Sequence, residues 1–230
     1  MRTATPILEE HGLYRFPVFR GLSEARLQEI MKYAFFRKYR KGQILFMEGD
    51  PRDRIYFLLN GYIKLVSMNE DYSNHLFLYL KPYCMFPYIG LFNDKDYRFS
   101  GEAVTDVELL YVPTVKFEQL IRSDNDALIN LIRIMGDKMH EHEIRLQNLI
   151  KMHATDRVRH LISLLIQDLG EKTGAGTIRI PCPLTTTDLA EMAGTSRETV
   201  SHTLQEYKAS GKLVMESKII TVTDPAFFIL

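Results

Sequence analysis

The sequence predicts an α+β chain in three successive parts. These are an all-β barrel or sandwich, one long helix, and a C-terminal part in which short helices precede a two-stranded ribbon. Three observations carry this. From about Arg40 to Pro113, short apolar segments alternate with Gly, Asp and Asn, and turn signals return every 8–12 residues or so, as in an all-β barrel or sandwich. From Asp124 to His153 there is no Pro and one glycine, Gly136, and apolar residues recur with a helical period. After Ala154 the spacing breaks into short amphipathic stretches divided by Gly and Thr. The expected division is residues 1–123, 124–153 and 154–230.

Composition narrows the class. The chain has 230 residues, 46% apolar and 25% charged, ordinary values for a globular protein and enough for one or two domains. Lys+Arg and Asp+Glu both number 29, so any nucleic-acid partner must be met by locally placed basic groups. The longest apolar runs fall far short of the roughly 20 residues of a membrane span, and the N-terminus has no signal-peptide h-region. Two cysteines, Cys84 and Cys182, cannot build a disulfide framework, a four-thiolate zinc site or a four-cysteine cluster. A cytoplasmic protein with no membrane contact and no cofactor is expected.

The elements follow in order. Ser23 is placed to cap a first helix carrying Leu27, Ile30 and Met31. GQILFMEGD, RIYFLLNG, YIKLVSMNEDYSN, HLFLYL and ELLYVP read as strands. Gly49-Asp50 and Asn60-Gly61 sit between strand-like runs, where a turn calls for positive φ. In the long helix, Leu128, Ile132, Met135, Met139, His142, Leu146 and Leu149 form a heptad seam. Such a seam can pack on the chain's own β domain or on a second copy. Ile144 and Ile150 leave another apolar stripe for the barrel, so the seam is read as a homodimer interface. Asp156 is expected to cap the next helix, whose apolar face holds Val158, Leu161, Ile162, Leu164, Leu165 and Leu169, and Ala154–Asp156 is read as a joint.

The most informative stretch is LTTTDLAEMAGTSRETVSHTLQEYKASGK, residues 184–212. Thr186 or Thr187 is expected to cap a short helix that Gly194 stops. Ser196 caps a second helix with Val200 and Leu204 inward and Arg197, Glu198, Ser201 and His202 outward. Helix, glycine turn and helix make a helix-turn-helix, and the strands around Glu216-Ser217-Lys218 make a wing. Arg197 can fork onto guanine O6 and N7, and Glu198 can accept from cytosine N4. Ser201 and His202 reach a base edge or a phosphate, while Thr187, Lys208, Lys212 and Lys218 can position the DNA backbone. Against this, helix pairs with a glycine turn are often plain core, and residues 154–230 hold 8 Lys+Arg against 9 Asp+Glu.

A resemblance decides between the two. Gly194-Thr195-Ser196-Arg197-Glu198-Thr199-Val200 resembles the recognition-helix signature of the CRP/FNR family of bacterial transcription regulators. Arg40-Lys41-Gly42-Gln43-Ile44-Leu45-Phe46, Gly49-Asp50 and Ile55–Gly61 resemble its β-roll, which implies a jelly-roll-like domain of the cyclic-nucleotide-binding type. The likeness runs over about residues 15–225. It implies a homodimer on double-stranded DNA, reading a TGTGA-like palindrome through Arg197 and Glu198, with RNA polymerase as a further partner if the protein activates. The family's next reading position, usually Arg, is His202 here. A Firmicute subgroup that controls arginine catabolism is similar in its Met-Ala-Gly-x-Ser-Arg-Glu-Thr stretch.

The same resemblance bears on a small-molecule effector. Cyclic-nucleotide members carry Phe-Gly-Glu-x-x-Leu and then Arg-Ser or Arg-Ala. Here Pro87 stands for the glycine and Tyr88 for the glutamate, and Tyr97-Arg98 lies near the arginine. Tyr88, Tyr97, Arg98 and His142 are therefore the effector-pocket candidates, in a degenerate pocket that argues against cyclic AMP. His142 is also read as a polar seam residue fixing helix register. No His pair at i, i+4 supports a metal site, and His75 and Cys84 read as strand and loop residues rather than haem ligands. The rival class is a cyclic-nucleotide-type module that acts on a protein partner. An enzyme is not expected, because no nucleophile motif or phosphate-cradling loop is present.

Overall fold

The computed structural model describes residues 12–68, 74–151, 153–174 and 176–228, with the side chains of 68, 74–77 and 148–151 outside the description. The chain divides into two compact units. One draws on residues up to Asn74 and on Tyr79–His140, the other on His75–Leu78 and on Glu141 onward.

The turn-punctuated apolar segments become strands β1 (Phe35–Tyr39), β2 (Ile44–Phe46), β3 (Arg54–Asn60), β4 (Ile63–Met68), β5 (Asn74–Leu80), β6 (Met85–Phe86), β7 (Ser100–Ala103) and β8 (Val107–Pro113). They form two four-stranded sheets, β1-β8-β3-β6 and β2-β7-β4-β5. Ile55–Leu59 of β3 is buried without alternation, as expected of a central strand covered on both faces. The β3–β4 turn needs its glycine. Gly61 has φ 85°, and a Cβ there would lie 2.2 Å from the Asp106 carbonyl oxygen.

Each face of β3 has its own aromatic core. On one, Phe57 meets Phe16 at 5.6 Å, Phe19 at 4.9 Å and Phe117 at 5.7 Å between ring centroids. On the other, Tyr56 stacks with Phe46 and Phe86, and Phe46 with Tyr97. Phe16, Phe57, Phe86 and Phe117 are at most 1% exposed, each contributing roughly 1.5–3 kcal/mol by burial. Helices α1 (Glu24–Met31) and α2 (Thr114–Arg122) complete the first core. Ser23 caps α1 as expected, its hydroxyl accepting from the Arg26 amide at 3.3 Å. Helix α3 spans Asn125–Lys151, and the Asp124 carboxylate accepts from the Ala127 amide at its start.

The second unit holds α4 (Ala154–Leu169), β9 (Glu171–Lys172), β10 (Ile178–Ile180), α5 (Thr186–Ala193), α6 (Arg197–Ala209), β11 (Leu213–Glu216), β12 (Ile219–Val222) and α7 (Pro225–Phe228). Its sheet runs β11-β12-β10-β9. The β11–β12 turn has both central residues left-handed, Ser217 at φ 48° and Lys218 at φ 69°, which matches the twist of a tight hairpin.

Three local expectations are corrected. The N-cap position of α4 is held by His153, whose side chain makes no capping bond, and Asp156 sits inside the first turn, where a carboxylate favours the helix dipole without capping. The cap of α5 is Thr185, not Thr186 or Thr187: its hydroxyl accepts from the Asp188 amide at 3.0 Å, and the Asp188 carboxylate accepts from the Thr185 amide at 2.9 Å. Lys212 is 2.7 Å from Asp224, so its ammonium is engaged within the fold. Among the described residues, no helix is long and apolar enough to cross a membrane.

Candidate nucleic-acid interface

Helix α6 divides cleanly into two faces. Val200, Thr203, Leu204 and Tyr207 are buried, while Arg197, Glu198, Ser201 and His202 are exposed. The spacing of the apolar positions dictates this, because residues three and four apart share a helix face. The Ser196 hydroxyl accepts from the Thr199 amide at 3.1 Å. It therefore begins the helix and leaves Arg197 and Glu198 as its first two side chains. Nδ1 of His202 is 3.5 Å from Oε1 of Glu206, one turn on. Thr187, at the start of α5, and Lys218, at the wing tip, are exposed.

Small residues and one arginine set how α5 meets α6. Ala190 and Ala193 are buried, and their size lets the helices approach closely. Gly194 ends α5 in the left-handed region, φ 58°, which glycine adopts without a Cβ penalty. Arg157 on α4 then holds the turn. Its Nε donates to the Ala193 carbonyl at 2.9 Å and its Nη2 to the Gly194 carbonyl at 2.8 Å. A guanidinium suits this helix end, where carbonyls lack partners and the dipole favours a cation. Arg159 similarly donates twice to the Phe227 carbonyl. Sequence reasoning missed both arginines, since their targets lie 36 to 68 positions away.

The effector-pocket candidates fall in both units. Tyr88, Tyr97 and Arg98 belong to the first and His142 to the second. Tyr97 is buried, its ring 4.2 Å from that of Phe46. Its hydroxyl donates to the Arg54 carbonyl at 3.0 Å and accepts from the Arg54 amide at 3.2 Å. Burial pushes its phenol up to about 12. Tyr88 is half-buried against the first core. Arg98 is exposed and forks onto the Asp94 carboxylate, whose hydrogen bonds from Arg98 hold it below the usual carboxylate range.

The loop around them is closed by its own bonds. Buried Arg52 pairs with Glu118 at 2.6 Å and donates to the Asp94 carbonyl. Glu118 also accepts from the Phe92 amide at 2.8 Å, and the Asn93 and Asp94 amides donate to the Gly90 carbonyl. A cyclic nucleotide phosphate needs free donors of these kinds. In this structure Arg98 and the amides of Phe92, Asn93 and Asp94 are engaged with groups of the loop and of α2. Among the described residues, no group of three or more potential ligands could hold a metal.

The seam of α3 is uneven. Leu128 and Met135 are half-buried and pack against the first unit's own core. Ile132, Met139 and Leu146 are 66%, 68% and 61% exposed. His142 is half-buried, and the side chain of Leu149 lies outside the described residues. Ile144, expected to serve the barrel, is 39% exposed.

Comparison with known proteins agrees with this architecture. Residues 36–124 match the cyclic nucleotide-binding domain family, and residues 156–227 match the Crp-like helix-turn-helix domain family. A CRP-like cAMP-activated global transcriptional regulator of Mycobacterium tuberculosis is 24% identical over 92% of this chain and 94% of its own. The HTH-type transcriptional regulator ArcR of Staphylococcus aureus is 28% identical over 91% and 88%. The structure of FixK2 from Bradyrhizobium japonicum superposes with a TM-score of 0.73 at 19% identity, covering 85% of this chain and 95% of that one. With a cyclic-nucleotide-type β domain, a long helix and a Crp-like helix-turn-helix in that order, the chain belongs to the CRP/FNR family of transcription regulators.

Proposed function

We propose that the protein is a sequence-specific transcription regulator that binds a TGTGA-like palindrome as a homodimer and does not respond to cyclic AMP. The observation that carries the reading is the exposed first turn of α6, with Arg197 and Glu198 side by side beyond the Ser196 cap. A bidentate guanidinium suits guanine and a carboxylate suits cytosine in the major groove. Ser201, His202, Thr187 and Lys218 supply contacts at the margins. The exposed Ile132, Met139 and Leu146 support a second α3 as the seam's partner, since residues of this kind seven apart seek a like helix. Two copies would then present two reading helices to successive major grooves.

The internal bonding of the 86–98 loop supports the second half of the reading. Arg98 is bound to Asp94, and Tyr97 is part of the aromatic core. The test is binding of ligand-free protein to a TGTGA palindrome and to a scrambled duplex at fixed salt, each with and without cyclic AMP. The reading expects discrimination without ligand and no change on adding it. Discrimination that appears only with cyclic AMP would overturn it.

A further inference from the structure

One side chain on the exposed face of α6 is oriented by a neighbour. Nδ1 of His202 lies 3.5 Å from Oε1 of Glu206, and the two side chains are 73% and 59% exposed. Residues four apart share a helix face. Of the two glutamates at that spacing, Glu198 and Glu206, it is Glu206 that the ring meets. At this distance and exposure the pair adds little stability. Its effect is on the place of a proton. A carboxylate only accepts hydrogen bonds, so a neutral ring that turns Nδ1 toward Glu206 carries its hydrogen there. Nε2, on the other edge of the ring, then offers a lone pair and no hydrogen.

The major groove gives that lone pair a narrow choice. The donors of base edges there are adenine N6 and cytosine N4, whereas guanine and thymine present the oxygens O6 and O4. Two lone pairs set against each other leave both groups without a partner. We propose that Glu206 fixes the tautomer of His202, and that His202 thereby selects an amino base, adenine or cytosine, on the strand it faces. Glu206 is a positioning residue: it acts through the ring and does not touch the base. A guanidinium at the same place only donates and suits guanine, so the pair of imidazole and carboxylate inverts the preference. The base contact rests on the proposed DNA reading of α6; the tautomer does not.

Two measurements on the full chain test the two halves. Nitrogen NMR of the imidazoles without DNA, at about pH 8.5 where an imidazole is neutral, reads which nitrogen of His202 holds the hydrogen; the His202→Ala spectrum identifies its signals. The hydrogen is expected mainly on Nδ1 in the parent. It should move toward Nε2 in Glu206→Gln, whose amide keeps the size but can donate to Nδ1 as well as accept from it. A hydrogen mainly on Nε2 in the parent, or no change in Glu206→Gln, overturns the fixing. DNA affinity is then measured at the same pH and fixed salt, with each base pair of the half-site replaced in turn. One position is expected to prefer an amino over a keto base by about fivefold or more per half-site. His202→Ala should abolish that preference, and Glu206→Gln should cut it to about twofold or less. A keto preference at the position that His202→Ala affects overturns the selection. So does the lack of any such position in a parent that discriminates the palindrome, and an undiminished preference in Glu206→Gln overturns the role of Glu206. A parent that does not tell the palindrome from a scrambled duplex refutes the reading of α6 and the base selection with it, while the NMR result stands on its own.

Discussion

Replacing Arg157 by Met should loosen the reading head without touching its exposed face. The guanidinium makes two bonds to the α5–α6 turn, to Ala193 at 2.9 Å and Gly194 at 2.8 Å. A hydrogen bond from a charged donor contributes about 1.5–3 kcal/mol when buried. Ala193 is buried and Gly194 exposed, so the first bond is set near the bottom of that range. The second is set below about 1 kcal/mol, as for an exposed ion pair. The sum is about 2 kcal/mol, or roughly a 30-fold rise in local opening. Native-state hydrogen exchange reads this directly from the amides at the end of α5 and the start of α6. Lys at this position should recover less than half, because one ammonium cannot hold two carbonyls in a fixed fork. Protection in Arg157→Met within about threefold of the parent would refute the reasoning.

Further expectations follow from separate parts of the fold. Gly61→Ala combines a left-handed backbone with a Cβ placed against the Asp106 carbonyl; unfolding should show a loss of at least about 2 kcal/mol, and a neutral change would contradict the turn geometry. Ile132→Glu with Met139→Glu puts carboxylates on the exposed seam; sedimentation is expected to find a dimer for the parent and a monomer for the variant, and an equal mass for both would contradict the proposed seam. The hydrogen bond from Lys212 holds the Asp224 carboxylate below its ordinary value. This contribution is present above the unfolded carboxylate pKa, near 3.9, and is lost as pH falls through the lower folded value. In Lys212→Met the Asp224 titration followed by NMR should move up toward the ordinary range, and a curve that stays put would contradict the pairing.

Much of this architecture was legible because it is local. Ser23 and Ser196 cap the helices that follow them, and Gly49, Gly61 and Gly194 take the positive φ their turns require. The α6 faces follow from a period of 3.6. The misplaced caps were also local, and a finer reading would have found one of them. Three threonines in a row each offer a hydroxyl, but only Thr185 has an acid three residues on, the mark of a capping box. What no local pattern shows is how distant groups meet. Arg157 reaches the α5–α6 turn, Arg52 reaches Glu118, and Lys212 reaches Asp224 only after the chain has folded. The Asp94–Arg98 pair has helix-like i, i+4 spacing, yet it lies in a loop, where it occupies the arginine that the resemblance suggested for a ligand.

The central claim is that the first turn of α6 reads bases, and a cycle between Arg197 and its guanine tests it most directly. Affinity would be measured at fixed salt for the parent and Arg197→Ala, on the TGTGA palindrome and on the same site with that guanine replaced. The account predicts that Arg197→Ala costs about 1–3 kcal/mol per half-site on the first duplex and less than about 0.5 kcal/mol on the second. An equal loss on both would make Arg197 a phosphate contact and would contradict base reading by this helix.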